Sequence, residues 1–323
     1  MGRNAKGLLG ILFGLTLVLG AAHGLVATPA RAMDAVIEAQ GDAAAAIPLR
    51  MDGDPMILKK GDAVWTKDSG ASCYVLESGS YQLESDLVVD AEVLIGSNST
   101  VVLDLNGHGL YLSSSTDAPV IDVKGACTLN DGTPSGTGGS HRPDGVSGGF
   151  LAGAEGWMPG VDVYGSFTMN GGTITGNGRG VTVADVSNPE NASAFTMNGG
   201  TIKGNNAGGV IVQPSSSFIM NGGEISGHLS SVGVENFGIF VMNDGSIYEN
   251  KGSVAGGVNN YTSFTMNGGT IRDNEGFEGG GVHNAGNFIM KGGSITGNTA
   301  KLRNNTEVGE SGRGGVRACQ DFW

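Results

Sequence analysis

Glu249 and Asp273 stand 24 residues apart, and each directly precedes an asparagine, Asn250 and Asn274. In a chain that stacks in coils of about 24 residues, two such side chains become neighbours about 5 Å apart, one strand spacing. Carboxylates that close raise one another's pKa or hold a cation such as calcium. Tyr248 and Arg272 come just before them, and His228 falls one coil earlier. The candidate ligand-binding set is therefore His228, Tyr248, Glu249, Arg272 and Asp273, with Glu249 and Asp273 as the candidate metal pair. The plainer reading is a solvated corner whose charge Arg272 balances. The sequence offers no Gly-rich phosphate loop with a Lys, no placeable Ser/His/Asp arrangement and no C-x-x-C.

The elements that would position these residues come from an internal repeat. Phe167-Thr168-Met169-Asn170-Gly171-Gly172-Thr173-Ile174 recurs from Phe195, Phe218, Phe240, Phe264 and Phe288, at steps of 28, 23, 22, 24 and 24 residues. Each copy ends in Asn177, Asn205, His228, Asn250, Asn274 or Asn298, and a Gly-Val step returns at Val181, Val210, Val258 and Val282. Phe and Met lie two apart, so they share one face of a short strand. Asn-Gly-Gly accepts the positive φ of a sharp corner. A second strand carries Ile, the terminal Asn turns a second corner, and Gly-Val makes a third strand. One such coil cannot bury its own apolar face, so coils must stack. The expected fold is all-β, a parallel β-helix of about 24 residues per coil, right-handed by the crossover rule. Phe, Met and Ile would form inward ladders, and the corner amides would hydrogen-bond along the stack. Leucine-rich repeats, calcium-binding nonapeptide rolls and propeller blades fail on Leu content, turn aspartates and repeat length.

Composition agrees. Gly is 59 of 323 residues and charged residues are 15%. Interior Gly weakens helices by about 1 kcal/mol each, which excludes a mainly helical protein, and the Pro content and absence of a Gly-X-Y period exclude collagen. Arg3 and Lys6, an apolar run over 8–20 and Ala30-Arg31-Ala32 form a secretory signal peptide over 1–32. The run is shorter than the roughly 20 residues a membrane span needs, so no span is expected after cleavage. Losing Arg3, Lys6 and Arg31 takes the net charge from −13 to −16, which argues against nucleic acid as a partner. Residues 33–70 read as a linker or flexible lead, 71–134 as first, irregular coils, 135–160 as a Gly-rich insertion or long loop, 161–300 as the repeat coils and 301–323 as a polar tail or unfinished coil. Of Cys73, Cys127 and Cys319, an exported protein could pair Cys73 with Cys127, or leave both as buried thiols.

Two motifs carry a family resemblance. Phe-Thr-Met-Asn-Gly-Gly-Thr-Ile, at 167–174, 195–202 and 264–271, and Leu103-Asp104-Leu105-Asn106-Gly107-His108 with Leu110 resemble secreted bacterial right-handed β-helix repeat proteins of the broad pectate-lyase-like superfamily. The resemblance spans about 80–300. It implies a secreted or surface protein; enzymes of that superfamily with lyase activity use calcium-bound carboxylates beside a basic residue, the composition of the Glu249/Asp273 cluster. Gly107-His108-Gly109 matches a polygalacturonase tripeptide, but the chain lacks the Asp-Asp pair that accompanies it, so a structural corner is expected. An ice-binding Thr face is broken by Lys203, Glu224, Tyr248 and Arg272.

Three functions remain. The first is a secreted or cell-surface, non-catalytic, adhesin-like repeat protein that binds glycan or a partner surface and needs no cofactor. The second is a lyase, hydrolase or epimerase acting on acidic polysaccharide with calcium. The third is a shortened chain without a role of its own. At the C-terminal end, Gly314-Gly315-Val316 restarts the repeat. Either Phe322 and Trp323 fold over the last coil, or the open end drives end-to-end self-association.

Overall fold

The computed structural model describes residues 73–301, apart from 114–116, 136–140, 155 and 186–191. It also gives the backbone strands Ile47–Asp52, Ile57–Lys60, Ala63–Thr66 and Val316–Ala318. The described residues form an all-β parallel solenoid of about nine turns and contain no helix.

Each turn contributes one strand to each of three sheets, as in Val258–Asn260, Ser263–Met266 and Thr270–Arg272. The first sheet has ten strands, from Cys73–Leu76 to Val316–Ala318. The second has nine coil strands, Gly79–Leu83 to Asn287–Met290, and the third runs from Leu87–Val89 to Ser294–Thr296. Every pairing between coils is parallel, and like residues fall opposite one another. Phe167, Phe195, Phe218, Phe240, Phe264 and Phe288 stack with ring centroids 5.2, 4.7, 4.9, 4.6 and 4.8 Å apart. Such pairs add about 0.5–1.5 kcal/mol each beyond area burial. The Met ladder lies on the same strands, and the Ile ladder, Ile174 to Ile295, lines the third sheet. The Phe, Met and Ile side chains of the coils from Phe167 to Ile271 are buried.

The second glycine of Asn-Gly-Gly has two physical reasons. Gly200 sits at φ 82, and a Cβ there would lie 2.6 Å from Cε of Met169 in the coil before. Gly223, Gly269 and Gly293 repeat both constraints. The corner thus needs left-handed backbone and must also leave room for the Met methyl, a combination only Gly satisfies.

Asparagine closes the corners. At the first corner, outside the core, Asn170, Asn198, Asn221, Asn243 and Asn267 each donate an amide hydrogen to the Oδ1 of the Asn one coil earlier, at 2.7–2.9 Å. At the second corner Asn177, Asn205, Asn250, Asn274 and Asn298 are buried. There Asn274 Oδ1 accepts from Asn250 N at 3.1 Å and Nδ2 at 2.9 Å, while Asn274 Nδ2 donates to Ile247 O. A third ladder lies inside the first sheet, where Val183 and Val212 give way to Asn236, Asn260 and Asn284. Its amides bond at 2.7 and 2.6 Å, which satisfies groups that would otherwise be costly to bury.

Several boundaries differ from the sequence reading. Residues 47–66, expected within a linker or flexible lead, hold three strands: Ile47–Asp52 pairs parallel with Gly79–Leu83, and two antiparallel strands follow. Their short apolar runs, divided by Gly53 and Gly61-Asp62, carry ordinary hairpin signals. The stretch 135–160, expected as an insertion, contributes Phe150–Ala152 and the start of Pro159–Val163 to the stack, with Leu151 opposite Leu110 and Ile174. Gly there admits close coil packing: a Cβ on Gly149 would meet Leu105 Cβ at 2.2 Å. Residues 1–32, the tail 302–315 and Cys319 to Trp323, on which other expectations fell, lie outside the described residues.

Candidate functional site

Of the five residues proposed from the sequence, the structure keeps four together and turns His228 inward. Glu249 and Asp273 do take equivalent corner positions, both at φ 56, where four other coils use Gly176, Gly204, Gly227 and Gly297. Both side chains are exposed. Arg272 is held by its neighbours: Nη1 bonds Asp273 Oδ2 at 2.9 Å, and the guanidinium lies 4.2 Å from the Tyr248 ring centroid. Tyr248 donates its hydroxyl to Glu224 Oε2 at 2.9 Å. Arg272 is thus engaged by Asp273 and Tyr248.

His228 does not join them, because it points into the buried corner ladder. Its Nδ1 accepts from Asn205 N at 3.1 Å, and its backbone N donates to Asn250 Oδ1 at 3.2 Å. Burial pushes its pKa down to about 4, against backbone hydrogen bonds to Asn205 and Ile202, so the ring is neutral. Among the described residues, no three His, Cys, Asp or Glu side chains gather as a metal site.

Cys73 and Cys127 are not bonded to each other. Cys73 starts the first sheet, opposite Glu92, whereas Cys127 faces the interior of the second sheet between Val101 and Phe167. Their coil faces differ, and that separates them. Burial pushes the Cys127 thiol up to about 12.

A cleft lies elsewhere, on the outside of the first sheet. Its outward column reads Asp122, Asp162, Thr182, Ile211, Glu235, Asn259 and His283 in consecutive strands. The segments between the second corner and the Val strand lengthen along the stack, 206–209, 229–233, 251–257 and 275–281. They build a wall beside the column. Between wall and sheet is a cleft of about 380 Å³, lined by Trp157, Arg179, Ser231, Glu235, Asn259 and Tyr261 among others. A second cavity of about 280 Å³, with Leu229, Lys251 and Phe277, shares Ser230 and Ser253 with it.

The cleft is ordered by its own contacts. The Tyr261 ring stacks on Phe237 at 4.6 Å and 3°. Asn259 donates Nδ2 to the Tyr261 hydroxyl at 2.9 Å, and its Oδ1 meets His283 Nδ1 at 2.9 Å. His283 Nε2 faces Glu278 Oε2 at 3.3 Å. Burial raises the pKa of Glu235 and the Arg179 charge opposes the rise. Arg179 also lies 5.9 Å from the centroid of Trp157, whose side chain is 71% exposed. Further along the column, Asp122 and Asp162 are register neighbours, and Lys124 reaches Asp122 Oδ2 at 3.3 Å.

Sequence reasoning missed this cleft. The available signals were the lengthening segments after the corner Asn and the aromatic pair Phe237 and Tyr261 at the same place in successive coils. The architecture defines the chain as a member of the parallel β-solenoid class. Comparison with protein-family models, with curated proteins and with solved structures returned no match.

Proposed function

We propose that the protein is an exported, non-catalytic recognition solenoid, adhesin-like, of the bacterial pectate-lyase-like type, acting outside the cell or at its surface by binding glycan. The observation that carries this reading is the cleft on the first sheet, where exposed aromatic and fixed polar side chains share one concavity. Aromatic walls with a few placed polar groups are what small-ligand sites are made of. The signal-peptide pattern of 1–32 supports export, and the repeat motifs support the kinship. The acidic balance of the chain, −13, disfavours nucleic acid. Binding needs no cofactor in this reading, and a polysaccharide-cleaving role for the Arg272/Asp273 corner is disfavoured because Arg272 is engaged by Asp273 and Tyr248.

The test is a polysaccharide panel with and without calcium, read for binding and for released sugar ends. Binding without release, unaffected by calcium, is expected. Release of reducing or unsaturated ends from any polymer, lost in Asp273→Ala or Arg272→Ala, overturns the reading in favour of an enzyme.

A further inference from the structure

We infer that the first-sheet cleft takes an uncharged linear glycan running along the coils, with one pyranose ring on the Trp157 indole and the hydroxyls of this and the following sugars held by Arg179, Glu235 and Asn259. This rests on the binding reading above and adds to it the site and the chemistry of the ligand.

Trp157 provides the platform. An indole left 71% exposed at the mouth of a cavity is a large apolar surface held in water, and covering it releases that water. A pyranose ring offers a flat patch of C–H groups on one face and hydroxyls at its rim. The cleft is divided in the same way. Trp157 and Tyr261 are its exposed aromatic walls, and between them the sheet presents a carboxylate, an amide and a guanidinium. The carboxylate and the guanidinium can each meet two adjacent hydroxyls, and the amide offers the hydrogen-bonding capacity left by its bonds to Tyr261 and His283.

Asn259 is preorganised. Its amide is fixed by the Tyr261 hydroxyl on one side and His283 on the other, both at 2.9 Å, so little side-chain entropy is lost on binding. The volume, about 380 Å³, lies in the range of small-molecule sites. The cleft also follows the column through Glu235 and Asn259, which belong to successive coils, so a linear oligosaccharide can run along the solenoid axis.

Charge selects among glycans. Arg179 and Glu235 both line the cleft, so its floor carries one charge of each sign rather than a cluster of cations. The chain as a whole carries −13, which repels polyanions at long range. A uronate polymer would bring carboxylates to Glu235, whereas a neutral hexose or N-acetylhexosamine chain brings donors for it. The adjoining cavity with Lys251 is the place where an acidic sugar would otherwise fit, and the test compares the two.

The experiment titrates the full chain with neutral gluco-, manno-, xylo- and chito-oligosaccharides and with oligouronates, by calorimetry and tryptophan fluorescence. At least one neutral series is expected to bind and shift the indole emission, with oligouronates weaker. Trp157→Ala should weaken binding about tenfold, as loss of a central aromatic anchor does, and Glu235→Gln should weaken it less, with the thermal midpoint lowered in neither. Lys251→Ala and Arg272→Ala should bind as the parent does. Binding that survives Trp157→Ala and Glu235→Gln, preference for oligouronates lost in Lys251→Ala, or no binding to any series each overturns the inference. Release of sugar ends would instead overturn the non-catalytic reading and leave the site to be judged by the same variants.

Discussion

At the second corner five coils place Asn and one places His228, and the two side chains differ in what they do with a proton. The ladder needs an acceptor for the backbone N–H of the coil before, and neutral His228 supplies it through Nδ1. Its folded pKa is about 4 against 6.5 unfolded, so the unfolded chain takes up the proton first as pH falls. The neutral ring therefore contributes fully above pH 6.5, and stability is lost down to about pH 4, by on the order of 3 kcal/mol. His228→Asn restores the amide and removes the buried titratable ring. It should raise the thermal midpoint at pH 4.5 more than at pH 8, measured by circular dichroism at the two pH values. Asp162 works in the opposite sense. Burial and the Asp122 charge push its pKa up to about 6 from 3.8, against opposing hydrogen bonds from Tyr164 and the Val163 backbone, with Glu92 raising it slightly further. The folded chain then holds this proton more tightly than the unfolded one. That contribution is present below pH 3.8 and disappears as pH rises through about 6. Asp162→Asn should thus stabilise the protein at pH 7.5 and change little at pH 3.5, and equal effects at both would contradict the burial argument.

Among the elements, the strand carrying Phe and Met does most of the stacking. Phe218 sits between Phe195 and Phe240 at 4.7 and 4.9 Å with rings within 5° of parallel. Phe218→Ala removes two stacks and opens a cavity flanked by coils that cannot collapse without shifting their register. The expected loss is about 3–5 kcal/mol, measured by denaturant unfolding. Phe288→Ala, at a partly buried ring with one stacked neighbour, should cost clearly less. Equal losses would mean that the ladder is not continuous. The corner elements could be placed from their Asn and Gly, but the outer wall could not. Its segments have no repeat of their own, and their effect is to rise beside a sheet formed by residues of other coils.

At the scale of the whole molecule, the two ends of the described stack differ. Three N-terminal strands extend the second sheet at one end. At the other, Ile289 and Met290 are 43% and 45% exposed, and among the described residues Asn287–Met290 and Ser294–Thr296 have no further coil beyond them. Strand edges with apolar neighbours pair with other chains. Self-association through this end is expected to grow with concentration and to fall in Met290→Lys. A monomer at high concentration in sedimentation would show that the end is covered.

The sequence by itself determined the coil: its period, its inward Phe, Met and Ile, and its Asn corners. Those are local choices repeated at one spacing, and stacking leaves them a single register because a slip of one residue would turn each ladder outward. It also placed Glu249 beside Asp273, through the same periodicity. Only the tertiary structure decided that His228 faces the interior, that Cys73 and Cys127 belong to different sheets, and that Val positions become a buried Asn ladder from Asn236 onward. The cleft belongs wholly to this second group. Trp157, Arg179, Glu235 and Asn259 come from four different coils and from no shared motif. They share one cleft because parallel stacking lines up one face of successive coils at a strand spacing per coil, so residues about 100 apart in sequence lie within four such spacings.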